Sequence, residues 1–175
     1  MSYRHYLFLL VSFTTYLAIG SATVYAHEDH SCTPLTGNLA SWNKPLIVKT
    51  SQTIANLKQA NPVPISQTVE ASLFPARSVE FPVSPQERGG SVSFAGTLKF
   101  DITKKSTYRI ITNGRPWVEI VQNGKIIDSS KHQHGEKCWG MEKVLDFPLT
   151  PGRYVIELTA NGKETIKFMI IPVTQ

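Results

Sequence analysis

From residue 67 onward, apolar and polar residues alternate with a period of two, the repeat of a half-buried β-strand. Residues 67–74 put Val69, Ala71 and Leu73 on one face, and residues 78–83 do the same with Val79, Phe81 and Val83. Residues 91–102 follow, with Val92, Phe94, Leu98, Phe100 and Ile102 alternating around Gly96, where a bulge or bend is expected. Short runs at 108–110, 117–121, 125–128, 143–149, 153–159 and 164–173 continue the pattern. Asn113-Gly114, Asn123-Gly124 and Asn161-Gly162 punctuate it. Of these, Asn123-Gly124 is the strongest hairpin signal, since both residues accept the positive φ of a tight turn.

Before residue 67 the pattern is different. Leu46-Ile47-Val48 reads as a short strand. Residues 50–60 are the only helix-compatible stretch, with Ile54 and Leu57 three apart and Asn61-Pro62-Val63-Pro64 ending it. The expected fold is all-β: an antiparallel sandwich or jelly roll of about eight or nine strands with one short helix. The expected organisation is a signal segment over 1–26, an N-terminal arm with the helix over 27–66, and the sandwich core over 67–175.

The first 26 residues read as an export signal. Arg4 is their only charged residue, an apolar run follows, and Val24 and Ala26 occupy the −3 and −1 positions before His27. The apolar run is short for a membrane span, and no span is expected once the signal is cleaved. The expected location is therefore periplasmic or secreted. The formal net charge of +5 comes from scattered lysines and arginines, without the basic run or aromatic interleaving of a nucleic-acid surface. Two cysteines in an exported chain suggest a Cys32–Cys138 disulfide. Free thiols, or Cys138 as a metal ligand, are the alternatives.

Candidate chemistry concentrates in residues 129–149. They hold His132 and His134, two of the five histidines, together with Cys138, Trp139 and Met141. His132-Gln133-His134 can direct two imidazoles at one ion, although Gly135 points to a loop. A disulfide would bring His27 and His30 close, and the free amine of a cleaved His27 would add a donor. Copper or zinc is the metal such a set suits. No nucleophile motif stands out. A set drawn from Ser129 or Ser130, His132 and Asp146 has no sequence signature. Glu119 and Asp128 read as solvated hairpin charges, and Trp42, Trp117 and Trp139 as a conceivable sugar platform.

One internal echo is visible. Phe100-x-Ile102-Thr103 followed by Tyr108-x-Ile110 matches Phe147-x-Leu149-Thr150 followed by Tyr154-x-Ile156. Both tyrosines are expected to be structural corners rather than catalytic groups.

The run from Gly96 to Gly162, with Gly89 to Phe94, His132 to Cys138 and Leu149 to Tyr154 as its hallmarks, resembles a family of small exported bacterial β-sandwich proteins of unknown role. The resemblance covers roughly residues 67–172. The corner around Tyr154 is similar to those of pre-peptidase C-terminal and carbohydrate-binding sandwiches. Some members of the family carry the label homogentisate dioxygenase, which implies iron-dependent chemistry on aromatic diols. Three readings follow, with no catalysis favoured. The first is an exported binding protein that takes a small ligand or protein partner through the loop around residues 132–141, with Trp139 and Met141 in it. The second is a copper- or zinc-binding protein using His27, His30, His132 and His134. The third is the dioxygenase.

Overall fold

The computed structural model describes residues 32–173, so the signal segment, His27 and His30 lie outside the described residues. The strands, in chain order, are β1 (Leu46–Lys49), β2 (Val69–Ser72), β3 (Phe74–Pro75), β4 (Phe94–Ile102), β5 (Ser106–Thr112), β6 (Trp117–Gln122), β7 (Lys125–Ile127), β8 (Lys131–His134), β9 (Lys143–Leu149), β10 (Gly152–Asn161) and β11 (Thr165–Pro172). They form a six-stranded sheet, ordered β1-β2-β11-β5-β9-β8, and a five-stranded sheet, ordered β3-β4-β10-β6-β7. The only α-helix among the described residues is α1 (Ile54–Gln59), inside the stretch expected to hold it. Thr53 caps it, its hydroxyl accepting from the Asn56 N–H at 3.1 Å. The all-β sandwich expected from the alternation is the observed architecture.

The alternation explains the core. Leu98, Phe100, Ile120, Ile156 and Leu158 of the five-stranded sheet meet Ile110, Leu145, Phe147, Ile166 and Phe168 of the other. Both sheets are also covered on their outer faces. Trp42, with Leu35 and Leu39, packs over Ile111, Met141, Val144 and Met169 on the six-stranded sheet. Ala76 and Val79, with Phe74 and Phe81, pack over Ala95 on the five-stranded sheet. Buried polar residues follow from this second covering, because strand positions that alternation assigns to water lie beneath another layer.

Three local expectations are corrected. The sheet is not wholly antiparallel, since β1 pairs with β2 in parallel, Leu46 opposite Val69. The chain between them, including α1, supplies the long crossover that parallel strands need. Residues 78–83 form no strand. Pro82 lacks the N–H that a central ladder requires, and the segment instead crosses the outer face of the five-stranded sheet. Gly96 is not a bulge. It pairs regularly with Leu158, and its missing side chain admits Thr50. The register shift lies in β10 between Leu158 and Asn161, where Ala160 has a φ of 52°.

Both tyrosine corners form where the chain changes sheet. Tyr108 follows the crossing from β4 to β5, and Tyr154 the crossing from β9 to β10. Each hydroxyl donates to the carbonyl four residues upstream, Tyr108 to Lys104 at 3.0 Å and Tyr154 to Thr150 at 2.8 Å. Tyr154 also accepts from the Thr150 N–H at 3.1 Å and stacks on Phe100 at 5.4 Å between centroids. Tyr154→Phe keeps the stack but leaves two backbone groups without partners. Equilibrium unfolding in urea should show a loss of about 1–3 kcal/mol, and a smaller one for Tyr108→Phe.

Candidate functional site

Residues 131–142 form a strand and a tight turn at one border of the six-stranded sheet. β8 pairs only with β9, setting His132 opposite Leu145 and His134 opposite Lys143. Its four side chains, Lys131, His132, Gln133 and His134, are all exposed. The histidines therefore sit on a strand rather than in a loop, two residues apart and on one face. The chain then turns through Gly135 and the 3-10 turn Lys137–Trp139, which ends at Gly140 with a φ of 66°. A Cβ on Gly135 would lie 2.5 Å from the Met141 carbonyl oxygen, so only glycine permits this approach.

The turn is fastened from below. Met141, 3% exposed, packs with Trp42, Ile111, Val144 and Met169. The half-buried Trp139 leans on the same cluster, and its carbonyl accepts from Trp42 Nε1 at 2.9 Å. The Glu142 N–H donates to the Thr112 carbonyl at 2.8 Å. Cys32 and Cys138 are bonded, with Cα atoms 5.7 Å apart, so the Cys138 sulfur is not a free metal ligand. Trp139 and Met141, expected as ligand contacts, hold the turn in place from beneath.

Beside the turn lies a cavity of about 360 Å³ lined by Arg115, His134, Gly135, Lys137, Met141 and Glu142. Among the described residues, no three His, Cys, Asp or Glu side chains gather closely enough to hold a metal ion. His132 and His134 are brought together on β8; their expected partners His27 and His30 lie outside the described residues.

Two other sequence-derived sets are not assembled. Asp146 is engaged by Arg109 through a bidentate pair at 2.7 and 2.9 Å, which holds its carboxyl below the usual range. Ser130 donates its hydroxyl to the Asp146 main-chain oxygen at 3.1 Å, so neither Ser130 nor Asp146 is placed for a Ser-His-Asp relay. The three tryptophans share no surface. Trp42 is fully buried, while Trp117 is exposed at the start of β6 with Lys143 Nζ 5.8 Å from its ring centre. Burial lowers the Lys143 pKa, and its ammonium donates to the Pro116 carbonyl at 2.6 Å.

Glu119 corrects a further expectation. It is 4% exposed rather than solvated, and it stands directly opposite Glu157, itself 1% exposed. Burial, with the Glu119 charge adding to it, pushes Glu157 up to about 7, against a smaller opposing effect of the Val83 N–H. Glu157 and Thr159 alternate with Ile156 and Leu158 as solvent-facing residues do, with no sign that residues 79–93 cover them.

No family model matches this chain, and no curated protein matches it.

The Arg109–Asp146 pair lies beside β8 in the sheet, where Lys131 stands opposite Asp146 and also favours its charge. Because the folded pKa of Asp146 is depressed, its stabilisation is present above about pH 4 and is lost as pH falls through the lower folded value. Asp146→Asn should cost about 1–3 kcal/mol at pH 7, because the partly exposed Arg109 loses its charged partner. Urea unfolding from acid to neutral pH should show the variant lacking this part of the wild-type acid dependence.

Proposed function

We propose that this chain is an exported binding protein without catalysis, and that its working surface is the segment from Lys131 to Glu142. The observation that carries the reading is the exposed edge strand β8, rigidly backed by the Met141 anchor and the Cys32–Cys138 bond. A surface held this way meets a ligand at little cost in ordering. The leader pattern of residues 1–26 and the disulfide support an oxidising compartment outside the cytoplasm. No helix among the described residues is long and apolar enough to cross a membrane.

The ligand class that fits the exposed chemistry best is a transition-metal ion. His132 and His134 occupy alternate positions of one strand, so two imidazoles face the same side, and neutral imidazole suits Cu(II) and Zn(II). Two ligands leave coordination positions open. His27 and His30 precede Cys32 closely enough to fill them, since five residues of extended chain reach about 17 Å. The alternative is a protein partner that pairs with the free edge of β8 through main-chain hydrogen bonds, with Gln133 and Lys131 as side-chain contacts.

Calorimetry on the chain beginning at His27 separates these readings. Cu(II) should bind the wild type more tightly than about 10 μM, near −7 kcal/mol, and at least tenfold more weakly after His132→Ala with His134→Ala. Equal affinities for the two proteins would remove the imidazoles from the site and leave the edge to a protein partner.

A further inference from the structure

Glu119 of β6 and Glu157 of β10 face each other in register on the outer side of the five-stranded sheet, away from the proposed working surface. Both are almost wholly buried. What covers them is residues 79–93, a strap without helix or strand that includes Pro82 and the buried Pro85. Two strap amides point at the carboxylates. The Val83 N–H donates to Glu157 Oε1 at 3.4 Å, and the Gln86 N–H to Glu119 Oε1 at 3.3 Å. Thr159, two residues from Glu157, donates to the Glu87 carbonyl. Glu157 Oε2 is buried without a hydrogen-bond partner.

Two buried carboxylates side by side cannot both be ionised without a compensating cation. The charged groups on the surrounding elements do not supply one. On the strap, Glu80 accepts from the Ile54 N–H and Glu87 from the Gly89 N–H. Arg88 lies over Phe81, and Arg77 donates to the Ser91 carbonyl. Lys99 of β4 gives its ammonium to the Lys58 carbonyl, and Arg153 of β10 pairs with Asp101. Beyond the end of β7, Asp128 adds only negative charge. Among the described residues, neither Glu119 nor Glu157 takes part in an ion pair. The remaining charge balance is a proton, and Glu157, whose buried Oε2 has no partner, is the carboxyl placed to hold it.

We infer that Glu157, facing Glu119 across the sheet, holds a proton beneath residues 79–93, and that losing this proton releases the strap from the sheet. The pair is a proton-operated latch. Protonated, the pair holds one charge under a closed strap. Deprotonated, it is two like charges in a dry layer, relieved only when the strap lifts and water enters. The proton has a route, because Glu119 and Gln86 line a cavity of about 210 Å³ shared with Trp117, Asp128 and Ser129. The sign follows from burial. The closed form binds the proton more tightly than the open form, so opening is favoured as pH rises through neutrality.

Amide hydrogen exchange, corrected for the intrinsic pH dependence of the chemistry, tests the latch. Protection of the Val83 and Gln86 amides in the wild type should fall at least tenfold between about pH 5.5 and about pH 8.5, as one-proton linkage requires. In Glu157→Gln, which keeps the shape and removes the charge, protection should hardly change over that range. Glu119→Gln is the second variant; it leaves Glu157 buried, so a fall should remain but be smaller than in the wild type. Wild-type protection independent of pH would overturn the inference, as would a fall in Glu157→Gln equal to that of the wild type. Full protection at the higher pH on adding millimolar calcium, and not without it, would also overturn it by assigning the pair to a metal.

Discussion

The contact on which the candidate site depends is that of Trp42 with the turn above it. The indole is fully buried on the outer face of the six-stranded sheet, under Lys167, whose ammonium lies 4.7 Å from the ring centre. Its N–H donates to the Trp139 carbonyl, and its ring touches the layer formed by Met141, Val144 and Met169. One side chain thus joins the N-terminal arm, the sheet and the turn after β8. The Cys32–Cys138 bond adds a covalent tie between the same two segments. Without this layer, β8 would be a four-residue edge strand followed by a glycine-rich turn, with little to define its position.

The five-stranded sheet repeats the arrangement with different chemistry. There the cover is α1 and the strap over residues 79–93, and the layer beneath contains Thr97, Glu119, Glu157 and Thr159 as well as Ala95. Apolar burial holds the first cover, whereas hydrogen bonds to ionisable groups hold much of the second. An apolar layer is indifferent to pH, but a layer resting on two carboxyls is not. The layer behind the proposed binding edge therefore answers to pH only in acid, through Arg109 and Asp146, whereas the one on the opposite sheet answers near neutrality.

Much of the inner core was legible because each strand alternates. Val69, Ala71, Leu73, Leu98, Phe100 and Ile102 were grouped on common faces from period alone, and Asn123-Gly124 placed its hairpin correctly. The repeated order of a strand ending in Thr and a Tyr opening the next identified both corners, while the hydrogen bonds reaching back four residues are seen only in the structure. The outer layers were not legible, since period two distinguishes two faces without saying which is wet. Glu119 and Glu157 alternate as solvent-facing residues do, yet lie under a segment far away in sequence. The same limit hid Met141, whose place in a polar stretch suggests a surface when it is an anchor. Residues 78–83 misled in the other direction, because Val79 and Phe81 alternate like a strand while packing as an irregular cover. His132 and His134 were correctly grouped, but the strand that aligns them is set by pairing with β9, which no local signal announces.

A double-mutant cycle between Trp42→Phe and the paired change Cys32→Ser with Cys138→Ser tests most directly whether the arm and the turn form one unit. Equilibrium unfolding in urea supplies the free energies of all four proteins. If the buried indole and the disulfide hold the same contact, the two changes are coupled by about 1 kcal/mol or more. Additivity within about 0.5 kcal/mol would mean that the two fastenings act independently, and would contradict the account.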